Sequence, residues 1–161
     1  MATQPIGMSK TSEARLLTCH PALQAIVRAV AEQCPLVVVE GHRGKDKQDA
    51  AFAAGNSQTP WPRSMHNAEP SLAVDLAPLE GGSIPWPDQV RGADQAAQTE
   101  RLRRARVFHL FCGRVLGTAS ALGIGLRWGG DWDGDNDLDD QKLIDLPHFE
   151  LMGQPWPPDA A

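Results

Sequence analysis

The sequence predicts an α+β fold, with a small, mostly antiparallel sheet and flanking helices. Three observations point there. Residues 21–33 and 100–124 repeat apolar side chains at helical spacing. Residues 35–40, 72–78, 125–128 and 148–151 are short, apolar and bounded by turn residues, as strands are. These segments show no internal repeat and do not alternate as regular βαβ units, which argues against a doubly wound parallel sheet.

The elements follow in chain order. "HPALQAIVRAVAEQC" places Pro21 where a first helical turn tolerates it, and Leu23, Ile26, Val27 and Val30 follow on one face. "PLVVVE" is β-branched and short, a buried strand broken by "GHRG". "KDKQDAAFAAG" reads as a short helix that stops at Gly55. Residues 55–71 are rich in Gly, Asn, Ser and Pro and read as a loop. "LAVDLAP" is a strand ended by Pro78, and "LEGGSIPWPDQ" a loop whose Trp86 is either a lid or a packing anchor. The longest helix starts at Glu100, with a stripe of Phe108, Phe111, Cys112, Val115, Ala119 and Leu122 and a stop at Gly123. "GLRW" and "HFEL" are the last strands, separated by an acidic loop, and a Pro-rich tail runs from about 153 to 161.

A chain of 161 residues is long enough to bury a core, and 1–161 reads as one domain. With 42% apolar and 22% charged residues it has a globular composition. A net charge of −5 argues against nucleic acid held mainly through phosphates. No apolar run approaches the roughly 20 residues of a membrane span, and "MATQPIGMSK" lacks the apolar stretch of a secretory signal. The expectation is a product made in the cytoplasm, without membrane insertion. Cys19, Cys34 and Cys112 form no CxxC pair and are expected to be reduced, mostly buried thiols.

The chemistry gathers in two segments. In "SMHNAEPSLAVDLAP" a loop histidine, His66, precedes a strand aspartate, Asp75, by nine positions. A catalytic zinc takes three protein ligands from His, Asp, Glu or Cys and keeps one position for water. His66 and Asp75 can supply two, and the third should come from another strand near the C-terminus, where "DLPHFEL" offers Asp145, His148 and Glu150. On a strand His148 and Glu150 share a face. Glu150 is then either a surface residue or a partner that orients a ligand histidine. Asp145, on the turn before, can reach the water without binding the metal. Arg43, just after the strand "VVVEGH", is the candidate cation for a substrate carboxylate or an oxyanion. Trp128 and Trp132 either wall such a cleft or pack in the core. His20 reads as a cap or packing residue, and His109 as a rim residue.

"DWDGDNDLDD" sets Asp131, Asp133, Asp135 and Asp137 at alternate positions. Alternate oxygens begin an EF-hand loop. Here Asn136 stands where that loop has Gly, and Lys142 where it has its bidentate Glu. A Ca²⁺ site and a solvated acidic loop are both open readings.

With these residues in place, "SMHNAEPSLAVDLAP" and "LGIGLRWGGDWDGD…DLPHFEL" resemble the M15 family of zinc peptidases. The closer likeness is to the L-alanyl-D-glutamate endopeptidases of phage endolysins, and it extends over about residues 9–152. The resemblance implies a hedgehog/D-Ala-D-Ala-peptidase-like fold and one Zn²⁺ on His66, Asp75 and His148. It implies Asp145 as catalytic base, Arg43 as substrate or oxyanion ligand, Gln48 as the residue positioning it, and Ser64 as organiser of the loop. Many relatives have a shorter His-to-Asp interval built on a glycine turn, whereas here "NAEPS" fills it. The implied function is zinc-dependent hydrolysis of the L-Ala–D-Glu bond of peptidoglycan stem peptides during wall lysis. The enzyme would be a monomer needing a holin-like pore to leave the host cytoplasm for the periplasm. A D-Ala-D-Ala carboxypeptidase, or a non-catalytic metal-stabilised module of a phage particle, are the alternatives.

Overall fold

The computed structural model of the protein describes residues 7–155; the end of the Pro-rich tail lies outside them. Four helices, α1 (Lys10–Leu16), α2 (Pro21–Ala31), α3 (Lys45–Ala53) and α4 (Gln95–Ala121), accompany four strands, β1 (Leu36–Glu40), β2 (Ala73–Pro78), β3 (Leu126–Trp128) and β4 (His148–Leu151). The strands form one sheet in the order β1-β2-β4-β3, and every pairing is antiparallel. The expected α+β class and the four strand positions hold.

Differences lie where patterning is weak. Helix α1 is absent from the sequence reading, because "KTSEARL" is short and polar. Ser9 caps it by accepting from Ser12 N at 3.1 Å. Helix α4 begins at Gln95 rather than Glu100; Asp94 caps it by accepting from Ala97 N at 2.8 Å, and this first stretch buries only Ala97. The stop at Gly123 holds, with φ at 69° in the left-handed region. Leu122 falls outside the helix as its C-cap and is half exposed, so it leaves the stripe. The expected loop 55–71 contains a 3₁₀ turn, Met65–Asn67.

The sheet's edges are managed differently. Helix α1 lies along β1, where Ser12 Oγ accepts from Val38 N (3.2 Å) and Arg15 Nη1 donates to Val38 O (3.0 Å). These bonds occupy backbone groups that an open edge would expose. Helices α2 and α4 bury Leu23, Ile26, Val27, Val30, Phe111 and Val115 with the sheet residues Val38, Val74, Leu76 and Phe149 in one core. Trp86 stacks on Phe108 with ring centroids 5.2 Å apart, so it is a packing anchor. Trp128 is buried and donates from Nε1 to Leu146 O at 2.8 Å. Cys19 and Cys112 are buried free thiols that burial pushes up to about 11 and about 12, as expected of inert cysteines. Among the described residues no helix is long and apolar enough to cross a membrane.

In β4 the alternation separates structure from chemistry. Phe149 faces the core with no exposed surface, while His148 and Glu150 share the other face. Phe149→Ala is expected to destabilise the fold by about 3–5 kcal/mol. Leu110→Ala, at a site 70% exposed, should stay within about 0.5 kcal/mol of the parent. Urea denaturation of the two variants checks this, and equal losses would contradict the core described.

Candidate metal centre

The register of the sheet sets two donors opposite each other. Strand β2 carries Asp75 and strand β4 carries His148, and the two are direct cross-strand partners. The third comes from the 3₁₀ turn. Ser64 accepts from His66 N at 3.3 Å, and Asn67 Oδ1 accepts from Ser64 N at 3.0 Å, a reciprocal capping box. It points His66 inward. His66 Nε2, Asp75 Oδ1 and His148 Nδ1 end 3.1, 3.2 and 3.2 Å from one another.

Outer partners decide which ring atoms face this point. His66 Nδ1 is 2.7 Å from Gly41 O, which can only accept, so Nδ1 carries the proton and a neutral ring presents a bare Nε2. His148 Nε2 is 3.0 Å from the Glu150 carboxylate, so a neutral ring presents a bare Nδ1. Two nitrogen lone pairs and a carboxylate oxygen thus converge, an arrangement that repels itself unless a cation sits between. Donors around a tetrahedral Zn²⁺ at about 2.0–2.1 Å stand about 3.3 Å apart. The donor types and spacings fit that ion.

Without a metal, a proton takes its place. Burial opposes a charged His148, but Asp75 and Glu150 outweigh it and raise the ring to about 10. Burial works against the Asp75 carboxylate too, yet His66 and His148 hold it well below the usual range. Asp145 differs. Burial, then the negative charge of Asp75, raise it. Its carboxylate makes no hydrogen bond or ion pair with any described residue. Its backbone is fixed on both sides: Asp145 N donates to Gly129 O (2.8 Å) and Asp145 O accepts from His148 N (3.1 Å).

The other expected residues surround this centre. Arg43 lies 3.7 Å from Asp75 Oδ2 and 3.8 Å from Glu40, and donates to Gln48 Oε1 at 3.3 Å. Gln48, fully buried, also accepts from Asn67 Nδ2 (3.1 Å) and donates to Ser57 Oγ (2.9 Å) and Thr59 O (2.6 Å). Glu150 is buried, not a surface residue, and its carboxylate lies 3.0 Å from His148 Nε2. Trp132 is tilted against the His148 ring at 5.4 Å and walls the cleft. His20 caps α2, its Nδ1 accepting from Ala22 N at 3.2 Å, and exposed His109 packs edge-on to Trp128 at 5.7 Å. The longer His-to-Asp interval is absorbed outside the centre. Glu69 and Pro70 are exposed, and Ser71 is pinned where its N donates to Thr18 O (2.9 Å) and its O accepts from His20 N (2.8 Å).

In the acidic loop Asp131, Asp133 and Asp135 gather their carboxylates, but Asp137 does not join that group. Asp131 accepts from Gly134 N (2.9 Å) and Asn136 N (3.1 Å), and Asn136 adopts φ 69°.

Several contributors escaped the sequence reading. Gly41 acts through its carbonyl, and a Cβ there would lie 2.4 Å from Arg15 O and Thr18 Oγ1. A Cβ on Gly129 would lie 2.4 Å from Asp145 O. Arg127 sits directly across from Glu150, is bonded to its carboxylate and lies 5.7 Å above the Trp132 ring. Only strand register reveals that pairing.

An α+β domain with two histidines and an aspartate converging at a cleft of about 1180 Å³, beside an unpaired carboxylate, has the makings of a hydrolase of the peptidase class. The family model of phage L-alanyl-D-glutamate peptidases matches residues 5–152, and the chain belongs to that family. It is 30% identical to the L-alanyl-D-glutamate peptidase of Escherichia phage T5, over 89% of this chain and 96% of that one. It is also similar to the crystal structure of the L-Ala D-Glu endopeptidase ChiX of Serratia marcescens. That match has a TM-score of 0.63 and 27% identity and covers 91% of this chain and 90% of the other.

A raised pKa at His148 has a definite sign. Its contribution to the metal-free fold is complete below the ring's unfolded value of about 6.5 and is lost as pH rises through about 10. Metal-stripped protein should therefore lose thermal stability between pH 7 and 10. Zn²⁺ added at pH 7 should displace about one proton, read by calorimetry in buffers of different ionisation heat. Zero proton release would contradict a protonated His148 in the metal-free protein.

Proposed function

We propose that the protein is a zinc-dependent endopeptidase that hydrolyses the L-Ala–D-Glu bond of peptidoglycan stem peptides and acts in bacterial wall lysis. One observation carries the reading: His66, Asp75 and His148 turn two ring nitrogens and a carboxylate oxygen to one point, with the free carboxylate of Asp145 on the adjoining turn. Family membership and the named relatives support the choice of bond.

Zn²⁺ bound by these three residues supplies Lewis acidity to the scissile carbonyl and the attacking water. Asp145 takes the proton of that water. Its raised pKa makes it a better base than an ordinary aspartate, and its lack of an internal partner leaves an oxygen free for the transfer. The same group then delivers the proton to the leaving amine. Arg43, held by Gln48 and facing Asp75, stabilises the oxyanion from the cleft side. Glu150 keeps His148 in the tautomer that presents Nδ1. Ser64 and Asn67 keep His66 in place. The enzyme works as a monomer and reaches the wall through a holin-like pore.

Purified, zinc-loaded protein incubated with peptidoglycan should release fragments whose masses show new L-Ala carboxyl and D-Glu amino ends. Release of terminal D-Ala instead would mark a carboxypeptidase, and intact peptidoglycan a binding module. Asp145→Asn should fold, retain one zinc and lose about 10²–10⁴-fold in kcat. Substantial activity in a zinc-replete Asp145→Asn enzyme would remove Asp145 from the role of base.

A further inference from the structure

The cleft before the metal centre is electrically lopsided. Its first lining stretch, residues 55–64, presents Asn56, Ser57, Gln58, Thr59 and Arg63 and contains no carboxylate. Its second, residues 132–145, presents Asp133 and Asp140 with Lys142, then the half-exposed Leu143 and exposed Ile144. Asp88 adds a further carboxylate.

Four cations line this cleft, and two are committed to carboxylates. Arg43 lies between Glu40 and Asp75, at 3.8 and 3.7 Å. Arg127 is bonded to Glu150. Lys142 follows Asp139 and Asp140 and shares its stretch of lining with Asp133, so its surroundings are negative. Arg63 stands instead in a stretch of lining without carboxylates. It is exposed, and its guanidinium makes no hydrogen bond or ion pair with any described residue. Its backbone is nonetheless fixed. Arg63 N donates to Pro60 O at 2.8 Å, and the next residue, Ser64, caps the turn that carries His66. The neighbouring lining is held from behind, where buried Gln48 bonds Ser57 and Thr59. A fork of five donors thus stands on a fixed wall with no partner among the described residues.

The peptidase reading supplies a matching anion. A glutamate within a peptide uses one of its two carboxyl groups to continue the chain and leaves the other free. In an L-Ala–D-Glu substrate that free carboxylate belongs to the residue just after the scissile bond. We propose that Arg63 is the residue that binds it, bidentately, and so fixes which peptide enters the cleft and in which direction. The neutral amide and hydroxyl lining around Arg63 accepts an anion, whereas the Asp133–Asp140 stretch repels one. The inference rests on the function proposed above and divides the labour of the cations. Arg43, already facing Asp75, serves the reacting carbonyl, and Arg63 serves the substrate's own charge.

The test uses the full-length zinc-loaded protein and two synthetic stem peptides. They differ only in whether the residue after the scissile bond carries a free carboxylate or a carboxamide. The quantity read is the ratio of kcat/KM for acid over amide. Wild type should favour the acid by about tenfold to a hundredfold, the range of a charge-assisted hydrogen bond. Arg63→Ala should bring the ratio close to one. Arg63→Lys should restore part of it, since charge is kept and the fork is lost. Zinc content measured in each variant confirms that the metal centre is intact. A wild-type ratio near one overturns the inference, and so does a ratio that Arg63→Ala leaves unchanged, while cleavage of both peptides leaves the peptidase reading standing. A zinc-replete wild type that cleaves neither peptide overturns the peptidase reading itself, and the role of Arg63 with it.

Discussion

Two imidazole nitrogens and a carboxylate oxygen are turned to one point with about 3 Å between them. Such an arrangement raises the energy of the fold until positive charge arrives, and much of the surrounding structure serves to keep it from relaxing. The antiparallel pairing of β2 with β4 puts Asp75 across from His148. Slipping that register by one residue would swap His148 for Phe149 and turn the donor into the core. The third donor hangs on a single 3₁₀ turn that has its own capping box. Long-range pairing thus supplies two corners of the triangle and a local motif supplies the last.

Much of the support comes from backbone rather than side chains. Gly41 offers its carbonyl to His66 from a place where a methyl group would strike Arg15 and Thr18. Gly129 both accepts from Asp145 N and donates to His148 O, extending the β3–β4 contact into the turn that carries the proposed base. Behind this layer Arg127 neutralises Glu150, and Glu150 fixes His148. The resulting chain runs from a surface cation through a buried carboxylate to a ligand ring, each link holding the charge that the next requires.

The sequence made part of this legible. Short apolar runs bounded by turn residues located all four strands, and the pattern of His and Asp types at strand and turn positions marked His66, Asp75, Asp145 and His148. Each of those signals is local. Helix α1 was not legible because "KTSEARL" is mostly polar, and its stability comes from a Ser9 cap and bonds to β1 that only the folded chain reveals. The role of Arg127 depends on pairing with a residue 23 positions away. A glycine chosen for what its neighbours would collide with, such as Gly41, looks in sequence like any turn residue. Leu122 belonged to the helical stripe by period alone, but the helix ends before reaching it.

Gln48 has a consequence of its own. One buried amide bonds the Arg43 side chain, the Asn67 amide and the loop at Ser57 and Thr59. It therefore acts as a spacer block between the floor of the cleft and one bank. Whatever lengthens or swings the exposed part of that bank, the gap between its base and the His66 turn stays gauged by the reach of a single glutamine, so the bank can diversify while the opening keeps its width.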